Sequence, residues 1–214
     1  MRSYTDELID FLTEAVTPFH AVAAMSNRLV QAGFQEVSQF DPIKMVPGQG
    51  YFNTRQGSSL IALRAGEADL SNGLRLLGAH TDSPNLSVKP NPVISQRGYV
   101  QLGVDVYGGA LLNPWFDRDL AMAGRVSLVT SEGDLKTVLF DTHRPVAVIP
   151  SLAIHLDRQA NSQRTVNPQK DIIPIVLLGG RDSFDLRVWV SEELEKNDAR
   201  WQGARVMGYD LSLY

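Results

Sequence analysis

His80 and Asp82 are the residues whose types and spacing most suggest chemistry. They follow an apolar run, LRLLGA at 74–79, that reads as a buried strand, and they open the segment HTDSP at 80–84. In extended chain, residues two apart point to the same side, so the imidazole and the carboxylate would share a face. Such a pair suits a metal-bound histidine whose second nitrogen donates to a carboxylate that fixes its tautomer and orientation. Strand ends in open α/β sheets are also where sites form. The same spacing equally fits a loop histidine bonded to a neighbouring acid, and one His-x-Asp does not choose between the two.

The chain contains four histidines and no cysteine. Thiolate metal sites, thiol nucleophiles and disulfides are therefore excluded, and any metal would need imidazole and carboxylate ligands. Other candidate groups read as structural. Glu192 and Glu193 lie in the charged stretch SEELEKND at 191–198, a solvated helical or loop face with Lys196 four residues after Glu192. Asp117 and Asp119 flank Arg118, and carboxylates beside a guanidinium read as an ion-pair knot. Gly108-Gly109 lacks the later glycine and lysine of a phosphate loop. No Gly-x-Ser-x-Gly elbow supports a serine hydrolase.

The elements that would position these residues change character along the chain. Leu8, Ile9, Phe11, Leu12 and Val16 recur at helical spacing after Thr5, and a second amphipathic helix is expected over about 20–31, closed by Gly33. Buried strands are expected at 59–64 and 74–79, with a turn at Asn72-Gly73, in a sheet that helices 5–32 cover. Beyond a proline-rich seam at Pro90 and Pro92, strands are expected at 99–107, 125–130, 135–140, 146–149, 172–178 and 186–190, with a turn at Gly179-Gly180. Two domains follow, 1–92 and 93–214, the first α/β and the second mainly β, in a barrel or sandwich. Leu211, Leu213 and Tyr214 fit an edge strand.

The 214 residues carry 43% hydrophobic and 21% charged side chains and a net charge of −4. That mix provides a core without metal or disulfide staples, and the mild acidity argues against nucleic acid as a partner. Arg181 and Arg187 are balanced by Asp182 and Asp185. No apolar run nears the roughly 20 residues of a membrane helix, and the polar stretch 1–10 is no secretory signal. A cytoplasmic protein without a membrane partner is expected.

Four blocks give this reading a family. GAHTDSP at 78–84 resembles the first metal motif of the M18, aspartyl aminopeptidase-like, zinc peptidases. YGG at 107–109 followed by WFDRDLAMAGRV at 115–126 resembles that family's most recognisable block. IPSLAIHLDR at 149–158 resembles a third, and TPFHAV at 17–22 matches near the start. The resemblance implies a metalloaminopeptidase that removes N-terminal, often acidic, residues from peptides with two zinc ions per complete site. Zinc would polarise the scissile carbonyl and acidify a bridging water, with a glutamate as general base. His80 would be a zinc ligand, Asp82 its supporting carboxylate, and His155 a substrate-binding residue that reaches into a neighbouring subunit's site.

The fold implied is part of a zinc-peptidase catalytic domain, helices plus a mixed sheet, followed by a barrel-like assembly domain. That second domain would join homodimers into a larger oligomer. The family's other metal ligands and its general base lie downstream of the assembly domain, so the chain reads as an N-terminal half, inactive alone and able to serve as an assembly fragment. Its first domain should then leave Leu60, Ile61, Leu63, Leu74, Leu76 and Leu77 partly uncovered.

Overall fold

The computed structural model describes residues 3–40, 42, 44–67, 73–179 and 184–214. Asn72, Gly180, Arg181 and Asp182, which figure in the expected turns and charge balance, lie outside the described residues. Contacts divide the chain into two compact units, Met1–Ser83 and Pro84–Tyr214.

In the first unit, helix α1 spans Tyr4–Glu14 and α2 spans Pro18–Gln31. Both begin slightly earlier than periodicity alone suggests, because capping residues set the start. Ser3 Oγ accepts from the Asp6 amide while Asp6 Oδ2 accepts from the Ser3 amide, each at 3.2 Å, a reciprocal box that satisfies two orphan donors. Thr17 caps α2, with Pro18 in the first turn, where its missing N–H costs nothing. Gly33, at φ +81°, ends α2. Its amide donates to Val30 O and the Phe34 amide to Leu29 O, the paired bonds of a Schellman turn. Four α2 residues, Phe19, Ala21, Val22 and Ala24, are buried.

Strands β1 (Gln35–Glu36), β2 (Gly50–Arg55) and β3 (Ser59–Arg64) form a mixed sheet, with β1 parallel and β3 antiparallel to β2. Helix α2 packs against all three strands. At Gly50 a Cβ would stand 2.5 Å from the Phe34 ring, so any larger residue would force that ring to move.

The expected strand at 74–79 does not form. Residues 73–80 are irregular, and β3 is the last strand in the described sheet. A strand needs a neighbour for its N–H and C=O groups, and no described strand lies beyond β3. Leu76 is 87% exposed and Ile61 74%; Leu74 and Leu77 are exposed as well, and Leu60 and Leu63 are half-buried. The expected uncovering of these six residues is thus present, although the buried strand is not.

The second unit is built on a six-stranded antiparallel sheet of order β7-β6-β9-β4-β5-β8. Its strands are β4 (Asn85–Gln96), β5 (Tyr99–Tyr107), β6 (Met122–Val129), β7 (Leu135–Asp141), β8 (Ile175–Leu178) and β9 (Arg205–Leu213). The expected barrel is not seen, because no pairing among the described residues joins the outer strands β7 and β8.

The proline seam also reads differently in three dimensions. β4 runs through it, so the boundary expected at 92/93 falls inside a strand. The β4–β5 register shifts between Val88 and Val93, an interruption of the ladder where prolines without N–H groups can sit. Tyr209 Oη donates to Lys89 O and Pro90 O, at 2.9 and 3.1 Å.

The C-terminal strand is not an edge. β9 lies between β6 and β4, and Leu211 and Leu213 are fully buried. Gly124 permits close approach of β6 to β9, since a Cβ there would collide with the Asp210 carbonyl.

Segment 186–190, expected as strand, instead begins helix α3, Leu186–Asn197. Asp185 accepts from the Arg187 and Val188 amides, and Leu186, Val190, Glu193 and Leu194 recur at helical spacing on the buried face. That face packs on β9, and the packing overrides the strand preference of Val188, Trp189 and Val190.

Glu193 is therefore not solvated. Its carboxylate, 8% exposed, meets Arg144 at 2.8 Å and Lys196 at 2.9 Å. Burial pushes the carboxyl up, but hydrogen bonds from Lys196 and Arg144 outweigh it and hold it below the ordinary glutamate value. Residues 146–149 make isolated bridges through Ala147, Val148 and Ile149 rather than a strand.

Candidate functional site

The expected metal-site residues His80 and Asp82 lie in the irregular segment 73–83 of the first unit. Thr81 bends there, and its hydroxyl donates to Ser58 O at 2.8 Å, which ties the segment to the turn between β2 and β3. His80 Nδ1 lies 2.6 Å from the Asp82 carbonyl oxygen and 3.2 Å from Asp82 Oδ1. A carbonyl oxygen only accepts, so Nδ1 carries the proton and Nε2 presents its lone pair. That is the tautomer coordination through Nε2 needs, and the imidazole is 79% exposed. The Asp82 backbone and carboxylate orient the ring together, a sharing that two-residue spacing alone does not reveal.

Zinc takes three or four protein ligands. Among the described residues, no group of three or more His, Asp or Glu side chains is disposed to hold a metal ion. The His80–Asp82 pair falls short of that number, and the described residues do not by themselves accommodate the ion.

In the second unit, His155 is exposed on a loop leaving the Ile149–Pro150 segment. The Leu156 and Asp157 amides donate to Ala153 O at 2.8 and 3.2 Å, so His155 sits within a tight turn. Leu152, Ile154 and Leu156 around it are also exposed.

At the neck of this loop, the Asp117 amide donates to Ile149 O at 2.9 Å, and Asp117 Oδ1 accepts from the Ser151 amide at 2.8 Å. One residue thus brackets Pro150. Hydrogen bonds from the Ser151 side chain and backbone, with the charge of Arg164, hold the Asp117 carboxyl below the usual aspartate value. The Arg164 guanidinium lies 3.9 Å from the Phe116 ring centroid and donates to Asn113 Oδ1 at 3.2 Å and Ser151 Oγ at 3.5 Å.

The arginine serving Asp117 is thus Arg164, not Arg118 as sequence adjacency suggests. Nothing local in the sequence singles out Arg164, because its partners lie up to 51 positions away. A cleft of about 730 Å³ elsewhere in this unit, lined by Met122, Val146, Ile175, Leu177 and Trp189 among others, does not include His155.

The described residues thus comprise a helix-covered mixed sheet, a loop carrying the His80–Asp82 pair, and a β-rich second unit. The family model described as "Aminopeptidase I zinc metalloprotease (M18)" matches residues 11–201, and the chain belongs to this M18 family.

Curated relatives include probable M18 family aminopeptidase 2 of Pseudomonas putida strain GB-1, 47% identical over 209 residues, and its Azotobacter vinelandii counterpart, 48% identical over 209. In both cases the alignment covers 97% of this chain and 48% of the relative. The chain therefore spans about half the length of the curated relatives it matches, as expected of an N-terminal half.

Among solved structures, it resembles one titled "Cryo-EM structure of the Ape4 and Nbr1 complex", with a TM-score of 0.85 at 33% identity over 97% of this chain and 43% of that one. Chaetomium thermophilum mApe1 gives a TM-score of 0.82 at 31% identity, over 99% of this chain and 50% of that one. The S. cerevisiae mApe1 dodecamer gives 0.76 at 25%, over 98% of this chain and 47% of that one.

Proposed function

We propose that this chain supplies one corner of the zinc centre, and the assembly unit, of a cytoplasmic M18 aminopeptidase that removes N-terminal residues, acidic ones included, from peptides. His80 is one ligand of a two-zinc centre, Asp82 sets its tautomer, and His155 contacts substrate in the site of a neighbouring copy. The β-rich unit pairs copies of the chain into a larger homo-oligomer, a reading supported by the dodecamer among the similar structures. The observation that carries the proposal is the His80 tautomer, fixed by Asp82 with Nε2 left to coordinate.

Because the described residues offer one metal ligand where zinc needs three or four, no catalytic step is assigned to the chain alone. By itself it is an inert assembly fragment. The test is to combine it with a polypeptide covering the remaining half of an M18 relative, add zinc, and assay peptides that differ in their N-terminal residue. Turnover is expected only from the combination, with Asp and Glu N-termini among those cleaved. Turnover by the chain alone, or a folded zinc-loaded combination that cleaves nothing, contradicts the proposal.

A further inference from the structure

The loop that presents His155 is closed at its base by groups that the peptidase reading leaves without a role. Residues 151–164 leave and return at neighbouring points, where Ser151 and Arg164 meet. Asp117 holds the outgoing limb by bonds to Ile149 and Ser151, on either side of a proline that cannot donate. Arg164 holds the returning limb by lying against Phe116 and donating to Asn113. Asp117 adopts φ +56°, a left-handed conformation that Asp tolerates better than most residues. Between these ends, the turns at 153–157 and 159–163 give the loop its shape.

We propose that Asp117 and Arg164 are positioning residues that clamp the neck of the 151–164 loop and so fix where His155 is presented. The inference rests on the reading of His155 as a substrate contact. It also gives the WFD part of the 115–126 block a physical role, in which Phe116 supplies the face for the guanidinium and Asp117 supplies the acceptor. Lysine is no substitute for Arg164, because an ammonium has neither the planar surface nor the fork that reaches Asn113 and Ser151 together.

The first arm of the test is hydrogen–deuterium exchange of the 214-residue chain, comparing peptides from 151–164 with a control from β6. Arg164→Ala and Asp117→Gly should raise exchange in the loop by roughly fivefold or more, as expected when one or two net hydrogen bonds are lost, and leave β6 unchanged. Asp117→Gly retains the left-handed backbone but removes the acceptor, so it separates strain from clamping. Asp117→Asn, which retains an acceptor but not the charge, should loosen the loop only part of the way, and Arg164→Lys should behave like Arg164→Ala.

Acid supplies an independent check. The Asp117 carboxyl is depressed, so the charge-assisted part of the clamp is fully present above the ordinary aspartate range and is lost as pH falls through the folded value, toward the level of Asp117→Asn. Loop protection in the wild type should fall in that acidic window, and in Asp117→Asn it should not.

The second arm measures kcat and KM in the zinc-loaded combination. His155→Ala and Arg164→Ala should change the same parameter, and the double variant should be no worse than His155→Ala. Unchanged loop exchange in Arg164→Ala and Asp117→Gly, or additive kinetic losses, overturns the clamp. Loosened exchange with a kinetically silent His155→Ala overturns the substrate-contact reading of His155, and with it the positioning role, while leaving the metal corner intact.

Discussion

Replacing His80 with alanine should lower aminopeptidase turnover of the combined halves by about a hundredfold or more, the scale on which even residues supporting a metal ligand act, and should leave the fold of this chain unchanged. The second expectation follows from exposure. Among the described residues the imidazole's polar contacts are with Asp82, and the ring is 79% exposed, so its loss opens no cavity and strands no buried donor. The first follows from its proposed role: with Nδ1 committed to Asp82, Nε2 is the one nitrogen left to bind metal, and no group of three or more described His, Asp or Glu stands ready to hold the ion instead. Asp82→Ala should be milder, about tenfold to a hundredfold, because the residue-82 backbone carbonyl still accepts from Nδ1 at 2.6 Å. Steady-state kinetics with circular dichroism of each variant checks both. A fully active His80→Ala would remove this residue from the metal centre.

The second large effect is association. Leu74, Leu76 and Leu77, just before His80, are exposed, Ile61 on β3 is exposed, and Leu8, Ile9 and Leu12 on α1 are exposed as well. Extensive apolar surface of this kind marks an interaction face or an aggregation hazard, and among the described residues β3 adds an open strand edge that can template pairing. The chain alone should bind a hydrophobic dye strongly and self-associate with rising concentration. Leu76→Asp with Ile61→Asp should suppress both, and addition of the remaining half of an M18 relative should do the same for the wild type. Dye fluorescence and light scattering across a concentration series report the outcome. A wild-type chain that stays monodisperse and dye-negative would show that this face needs no cover.

How much of the fold is legible in the sequence depends on the range of the interaction. Helices α1 and α2, β3, β5 and the cap at Gly33 follow from local rules: capping side chains, apolar period and one glycine at positive φ. The strand expected at 74–79 is missing for a non-local reason. Its apolar pattern is that of a buried strand, but pairing requires a partner that the described residues do not provide. Segment 186–190 departs in the opposite direction, because Asp185 caps a helix there and β9 offers a surface for Leu186, Val190 and Leu194. Pro90 and Pro92 have the composition of punctuation between domains and instead occupy an interruption within one long strand, a distinction made only by the register with β5.

The candidate site shows the same division. His80 and Asp82 are two residues apart, so their pairing is visible in the sequence, although the share taken by the Asp82 carbonyl is not. Arg164, Phe116, Asn113 and Ser151 converge from distant positions, and adjacency pairs Asp117 with the nearest arginine rather than the one that serves it. Glu193 reads in sequence as one of two equivalent acids on a charged helix. Helical phase buries it and exposes Glu192, and the partner that explains its burial, Arg144, lies 49 residues away.

Whether this chain holds a single corner of a zinc centre is decided by titrating the metal-free chain with zinc in a calorimeter, alongside His80→Ala. One imidazole supplies a third or a quarter of what a protein zinc site uses, so weak, non-stoichiometric binding is expected, with tight uptake appearing only after the remaining half of an M18 relative is added. Tight one-to-one binding by the chain alone, abolished in His80→Ala, would mean that the chain carries a whole site and not a corner.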